Sequence, residues 1–326
     1  MIQFLADQID QMDLALDQLA MRDRNFDRFA LMLIDNVVEL TLHRHAGDCA
    51  LTNKMYGSAS KPRFQPEAVA SAMGQYFEPK VKLARSTGMA PQEIADSIQH
   101  LHGFRNAVYH AGLRHEPILH SVAQFYFENA CSLLANYKPP FWSWASNDRI
   151  PHRAMKYVGK PAVVEPAKAF GAAWIRLREI NDSMGDTLVS DLSADMHKTI
   201  TSFDEDVDFL VENATKPMTR DQAILESQVW GVAFSDEAKA FAAANACSEE
   251  TVGGYVDWLI LNYPCSVKTD PVTSWRKRQS SLDQERDKHA ALNKYSDFMA
   301  QTCDIREQVA EAASGLDAHI QQEVGV

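Results

Sequence analysis

Features that would identify a membrane or secreted protein are missing from this chain of 326 residues. No apolar run approaches the ~20 residues that a membrane-spanning helix requires. The first residues, MIQFLADQIDQMDLALDQL, lack the basic start and the unbroken apolar core of a secretory signal. We therefore expect a cytoplasmic protein that makes no membrane contact.

Cysteine is scarce, and the patterns that hold cofactors are missing. The sequence has five cysteines, an odd number, and none forms a Cys-x-x-C pair. We expect reduced thiols, several of them buried, with no disulfide and no structural metal. An EF-hand, a Gly-rich phosphate loop, a Gly-x-Ser-x-Gly elbow and a His-Glu-x-x-His pair are also missing. The sequence thus predicts no cofactor and no metal site. The cysteines are Cys49, Cys131, Cys247, Cys265 and Cys303.

The chain has fewer basic than acidic residues, and this net negative charge is unevenly distributed along the sequence. The formal net charge is -12, of which residues 1–138 carry -2 and residues 161–272 carry -11. The intervening residues 139–160 carry +3 and include a basic strip formed by Arg149, Arg153, Lys156 and Lys160. Long duplex DNA is an unfavourable partner, because such binding neutralises many phosphates. A cleft that holds a few nucleotides of RNA needs far less positive charge.

Apolar residues recur at three- and four-residue steps along nearly the whole chain, which predicts an all-α fold. A polar stretch from Gly47 to Pro66 predicts a long loop. In the first part of the chain we predict helices at Phe4–Met21, Phe26–His43, Glu67–Ser86, Pro91–His102 and Glu116–Tyr137. In the later part we predict helices at Val163–Asn181, Thr187–Asn213, Arg220–Val232, Ser235–Ala246 and Glu249–Leu261, and two more after Pro271.

The predicted domain boundary is the segment 139–161, which contains four prolines and no clear helical period. It separates an N-terminal helical bundle, residues 1–138, from an acidic helical domain, residues 162–326. Trp142 and Trp144 in this segment are candidates for stacking on unpaired bases beside Arg149. The alternative is that both rings hold the linker against a domain.

The one segment that indicates chemistry is Arg105 to His110, which reads Arg-Asn-Ala-Val-Tyr-His. Arginine offers a fixed fork of donors to phosphate oxygens, and histidine exchanges protons near neutral pH. On a helix Asn106 and His110 share a face, whereas Arg105 lies roughly 140° from His110. Gly103 and Gly112 on either side are consistent with a bend or a helix end. The alternative is an ordinary surface arginine and a structural histidine.

The segment from Ile98 to Gly112 resembles the signature of the HEPN superfamily, all-helical domains marked by Arg, four to six residues, then His. A polar residue commonly follows the arginine, so Arg105, Asn106 and His110 match three positions. The resemblance extends over the first ~140 residues in helix order. It does not include the tyrosine that HEPN toxins carry two residues after the histidine, because Ala111 and Gly112 follow here.

This resemblance implies a metal-independent endoribonuclease that cleaves RNA by attack of the ribose 2'-OH, in a toxin or anti-phage defence role. His110 would take the proton from the 2'-OH, or protonate the leaving 5'-oxygen from the partner subunit. Arg105 would stabilise the charged phosphorane, and Asn106 would orient His110 or a phosphate oxygen. The family commonly dimerises, which implies a homodimer, and an antitoxin or defence-system protein is a possible partner. Two alternatives are a silent HEPN module that binds RNA, a nucleotide or a protein, and a toxin whose later domain senses an invader or docks an antitoxin.

Further residues are weaker candidates. We include Tyr109, His102, Trp142, Trp144 and Arg149 as possible substrate contacts. Glu39 is the acidic residue of the second helix that is best placed by sequence to face the motif helix, and the alternative is an ordinary surface glutamate. The acidic cluster from Asp204 to Asp208 is interpreted as a solvated helix face rather than a metal site. The basic run from Arg276 to Arg278 either contacts RNA or begins a helix.

Overall fold

A computed structural model of the chain describes residues 1–56, 61–111, 116–159 and 165–324, with the backbone alone for residues 107–111, 116 and 324. Within these ranges the fold is all-α, as the sequence predicts, and the described residues contain no strand. A short 3-10 helix, Glu116–Ile118, precedes the sixth α-helix. The α-helices are α1 Ile2–Ala20, α2 Arg24–Tyr56, α3 Pro66–Ala72, α4 Phe77–Ser86, α5 Gln92–Ala111, α6 Leu119–Asn136, α7 His152–Val158, α8 Pro166–Asp182, α9 Leu188–Glu212, α10 Arg220–Val232, α11 Asp236–Ala244, α12 Val252–Asn262, α13 Val272–Asp283, α14 Lys288–Gln301 and α15 Cys303–Val324.

The helices form two compact units. Unit 1 comprises residues 1–191 together with 286–293, and unit 2 comprises residues 192–285 together with 294–326. The sequence predicts a boundary at 139–161, but those residues belong to unit 1. The backbone N–H of Ile2 donates to Ser143 at 3.1 Å, and the Trp142 ring stacks on Phe170 of α8. The prolines of this segment thus mark an irregular connection inside a unit.

The core of unit 1 is built where α2 packs against α1, α5 and α6. Long side chains at helical spacing become fully buried there, for example Ile9, Leu31, Ile34 and Tyr126. Each such residue contributes about 1.5–3 kcal/mol by leaving water. Since α5 carries the Arg105 motif, this core fixes the motif against α2 and α6.

Helix α2 continues to Tyr56, well into the stretch that we predicted as a loop. Its extension is stabilised by tertiary packing, because Ala46 and Cys49 are buried against Val69 of α3 and Leu83 of α4. Glycine at position 47 lowers helix propensity by about 1 kcal/mol, and this packing outweighs it.

The single helix predicted for Glu67–Ser86 is two helices, α3 and α4, with a turn between them. The buried amine of Lys80 lies inside this turn and donates to the carbonyls of Gly74 and Tyr76, at 2.9 and 3.0 Å. Satisfied carbonyls let the backbone leave the helix at low cost. The turn positions Tyr76 and Phe77 beside α5, where they border the candidate site.

In unit 2 the acidic cluster of α9 is only partly the solvated face that we predicted. The guanidinium of Arg220 donates to Asp204 at 2.6 Å and to Asp270 at 2.7 Å, and it also pairs with Asp208. Among the described residues no group of three or more His, Cys, Asp or Glu side chains is arranged to hold a metal. Here the carboxylates serve to hold Arg220.

The cysteines are all free thiols, and all five lie in described parts of the chain. Cys49, Cys131 and Cys265 are buried, as the sequence predicts for several of them. Burial raises the pKa of Cys49 to about 11, with the nearby Asp48 carboxylate adding to the shift. That thiol therefore stays protonated at neutral pH.

Candidate functional site

The motif lies in the last two described turns of α5, which runs through Gly103 without interruption and is described as far as Ala111. Gly112, beside which the sequence allowed a bend or a helix end, lies outside the described residues. The side chains of Tyr109 and His110 are also outside the description. Positions 102, 106 and 110 follow one another at four-residue steps and share one helix face.

At the centre of the site is Asp35, a residue of α2 that is 1% exposed. Its Oδ1 accepts hydrogen bonds from Tyr126 of α6 at 2.7 Å and from His102 of α5 at 2.8 Å. Its Oδ2 lies 3.3 Å from Nε of Arg105. A buried carboxylate is costly unless it is paired and hydrogen-bonded, so these contacts explain why an acid is tolerated here. We call Asp35, His102, Arg105 and Tyr126 the Asp35 cluster.

Tyr126 enters this cluster as a neutral donor. Burial raises its pKa well above the ordinary value of 10.0, and the Asp35 carboxylate raises it further. The ring is fully buried in the core of unit 1. Tyr126 therefore orients Asp35 without exchanging protons.

Arg105 links the buried cluster to the surface. Its Nη1 donates to Oδ1 of Asn106 at 2.9 Å, while its Nε faces Asp35. The side chain remains 30% exposed. An arginine held at two points loses little further side-chain freedom on binding an anion. The arrangement suits recognition of a phosphate at the end of α5.

An open groove of about 440 Å³ has part of its wall on α5. His102 contributes to its wall, and the imidazole stacks face to face on Phe77 with ring centroids 3.8 Å apart and planes 5° apart. Nδ1 of His102 is occupied by Asp35, so Nε2 is the nitrogen that a ligand in the groove would meet. The lining residues are Tyr76, Phe77, Glu78, Pro79, Gln99, His102 and Gly103.

A second pair of the same kind is present elsewhere in unit 1. Nδ1 of His120 lies 2.7 Å from Oδ1 of Asp27, which matches the His102–Asp35 geometry. The other ring nitrogen of His120 is buried and has no hydrogen-bond partner in the described part of the chain. Of the two His–Asp pairs, His102 lines a groove, whereas the second ring nitrogen of His120 is enclosed.

The remaining sequence candidates lie elsewhere. Trp142 is stacked on Phe170 with ring centroids 5.8 Å apart, while Trp144 is 39% exposed. The backbone N–H of Arg149 donates to Gln3 at 2.6 Å. None of these contacts joins them to the Asp35 cluster.

The basic strip and the later basic run are largely engaged by other side chains. Arg153 and Lys156 both donate to Asp13 at 2.8 Å, and Lys160 lies outside the described residues. In unit 2, Arg276 donates to Thr201 at 3.0 Å and Arg278 lies over the Phe298 ring. These charges already have internal partners, which weakens them as sites for RNA.

Sequence reasoning missed Asp35, Tyr126 and Phe77. The acidic residue that it named as best placed to face the motif was Glu39, whose side chain is 41% exposed and lies 3.8 Å from the amine of Lys80. The sequence did contain a signal for Asp35, because this residue falls on the apolar side of α2 with Leu31 and Ile34. An acid on the apolar side of a helix requires a partner.

Comparisons of the chain with protein-family models, with curated proteins and with solved structures give no match. Among the described helices, none has an apolar stretch long enough to span a membrane. The geometry around Asp35 is therefore the basis of the functional argument.

Proposed function

We propose that this protein is a metal-independent endoribonuclease of the HEPN type. The observation that supports the proposal best is the position of Arg105, which Asp35 and Asn106 hold. Arg105 shares the Asp35 carboxylate with His102, a residue of the groove wall. A bound phosphodiester would meet an arginine that is already oriented. Such preorganised charge is a large source of transition-state stabilisation.

In the proposed reaction the ribose 2'-oxygen attacks the adjacent phosphorus and the 5'-oxygen leaves. Arg105 stabilises the negative charge that builds on the phosphorane, and Asn106 orients the arginine or a phosphate oxygen. His110 takes the proton from the 2'-OH. Because the nucleophile belongs to the RNA, the products are a 2',3'-cyclic phosphate and a 5'-hydroxyl.

The first experiment compares wild-type protein with His110→Ala on total RNA and tRNA in EDTA, with the fragment ends mapped. We expect cuts with cyclic-phosphate ends that the variant makes at least about 100-fold more slowly, as loss of a proton-transfer group predicts. His43→Ala, at an exposed position of α2, is the matched control and should cleave normally. Cleavage by His110→Ala at the wild-type rate would refute the proposal.

A second candidate is a silent HEPN module that binds RNA, a nucleotide or a protein partner. The close Asp35 carboxylate favours it, since an ion pair reduces the charge that Arg105 offers to a transition state. In the same experiment this candidate predicts no cuts by folded wild-type protein. Retention of labelled RNA on the protein would then identify a binding role.

The biological setting and the assembly are also proposals. A ribonuclease of this type would act as a toxin or in anti-phage defence, restrained or triggered by a partner protein. The resemblance further implies a homodimer with a symmetric contact through the motif helices. A native mass measurement on the same sample tests that assembly.

A further inference from the structure

We propose that His102 is a second catalytic residue, which protonates the leaving 5'-oxygen while His110 serves as the base. This inference deepens the proposed function and rests on it. It assigns the acid and the base of the reaction to one chain. The motif of one chain contains a single histidine, so His102 would supply the second proton-transfer group without a partner subunit.

The first support is how His102 is held. Its Nδ1 lies 2.8 Å from the buried carboxylate of Asp35, and its ring is fixed face to face on Phe77. A carboxylate on Nδ1 sets the ring orientation and leaves Nε2 as the nitrogen that can donate a proton to a ligand. His102 also lines the open groove, a position that a histidine filling the core would not need.

The second support is position along α5. Positions 102 and 110 each lie one turn, about 6 Å, from position 106, on opposite sides of it. Asn106 and Arg105 stand between them and are joined by a hydrogen bond of 2.9 Å. A phosphate bound at Arg105 would thus have one histidine position towards each end of the helix. In-line displacement needs proton-transfer groups on opposite sides of phosphorus, because the entering oxygen attacks from the side opposite the leaving oxygen.

The third support is that Asp35 joins the two groups. Its Oδ1 bonds His102 and its Oδ2 faces Arg105, so one carboxylate sets the spacing of the acid and the phosphate-binding residue. In the matching pair, Nδ1 of His120 lies 2.7 Å from Asp27, but the second nitrogen of His120 is enclosed. The two His–Asp pairs have the same hydrogen-bond geometry, but the His102 pair borders an open groove.

The bond from the 2'-oxygen to phosphorus forms as the bond from phosphorus to the 5'-oxygen breaks. His110 gains the proton of the 2'-OH, and Nε2 of the His102 imidazolium gives its proton to the 5'-oxygen. Both histidines then return to their starting states by exchanging one proton each with water.

The test uses two RNA oligonucleotides of the same sequence, one with a normal 5'-oxygen at the cleavage site and one with a 5'-sulfur there. A thiolate leaves without a proton, so loss of an acid matters only for the oxygen substrate. The variants are His102→Asn, which retains a side-chain donor for Asp35, and the matched His120→Asn. Circular dichroism checks that each is folded, and His102→Gln replaces any His102→Asn sample that is not.

We expect His102→Asn to cleave the oxygen substrate about 10²–10⁴-fold more slowly than wild type and the sulfur substrate at nearly the wild-type rate. His120→Asn should cleave both normally, and His110→Ala should be slow on both. A folded His102→Asn that cleaves the oxygen substrate like His120→Asn would overturn the inference and leave the proposed function intact. Equal loss on both substrates would refute the acid role, and no cleavage by wild type would refute both proposals.

Discussion

At the scale of single residues, unit 1 contains buried polar groups whose charge state is set by burial. His45 of α2 is a half-buried example: its Nε2 lies 2.8 Å from the Thr87 hydroxyl, and its ring contacts Tyr137 edge-on. Burial lowers its pKa from 6.5 to about 4. The folded protein therefore keeps this ring neutral at a pH where the unfolded chain protonates it.

This lowered pKa predicts a loss of stability in acid. Between pH 6.5 and about 4 the unfolded chain binds a proton at His45 that the folded chain does not, so the free energy of unfolding falls as the pH falls. Above pH 6.5 the ring is neutral in both the folded and the unfolded chain, so no stability is lost. We expect the loss of stability to reach about 2–3 kcal/mol at pH 4.5.

Denaturant unfolding at pH 7.5 and pH 4.5 measures this contribution. His45→Gln should lose less stability than wild type between the two pH values, because glutamine does not titrate. His43→Gln, an exposed neighbour in the same helix, should lose as much as wild type. Identical losses in all three proteins would rule out His45 as the origin.

The residues of the candidate site could be predicted only where a local pattern identifies them. Arg105, Asn106 and His110 stand together in the sequence, so the helix face shared by positions 106 and 110 followed from spacing. Asp35 meets His102 and Tyr126 through contacts 67 and 91 residues apart along the chain. Periodicity predicts which side of a helix is buried, but it does not predict which buried side chains meet.

At the scale of helices, the extension of α2 through Gly47 gives a direct prediction. A Cβ at position 47 would meet only the Met73 sulfur, at 4.0 Å, an ordinary contact. Gly47→Ala should therefore stabilise the protein by about 0.5–1 kcal/mol, since alanine loses less backbone freedom in a helix.

Gly88 provides the contrasting control. It lies just after α4 with φ at +77°, a backbone conformation that alanine adopts only with strain. Gly88→Ala should lower the free energy of unfolding by about 1 kcal/mol or more. If Gly47→Ala were destabilising too, a helix through that position would be the wrong description.

The sequence predicted helix limits best where capping residues mark the end of the apolar pattern. Helix α10 has the predicted limits, and Thr219 and Gln222 form a capping box at its start. The limits of α2 and the break between α3 and α4 were not predicted. The first depends on the distant packing of Cys49, and the second on a side-chain bond from Lys80 to the carbonyl of Gly74, neither of which helix propensity contains.

At the scale of the whole chain, we predict that a fragment ending at residue 138 is much less stable than the full protein. Such a fragment loses α8, whose Phe170, Trp174 and Leu177 are buried in unit 1, where α8 packs on α6. Uncovering each of these large side chains costs about 1.5–3 kcal/mol. The expectation opposes the domain boundary that the prolines indicated.

Thermal melts of fragments 1–138 and 1–187 test this. We expect fragment 1–187, which retains α8, to unfold cooperatively at a higher temperature than fragment 1–138. Fragment 1–138 should aggregate or melt without a clear transition. A cooperative melt of fragment 1–138 at the temperature of the longer fragment would restore the boundary at 139–161.

The Asp35 cluster also bears on how the chain selects one packing. Apolar helix faces slide past one another by a turn at modest cost, because leucine and isoleucine contacts are interchangeable. A displacement of α5 or α6 by one turn would leave the Asp35 carboxylate buried without its donors, a penalty of several kcal/mol. One acidic side chain thereby excludes the neighbouring alignments of three helices, and it does so whether or not the protein is an enzyme.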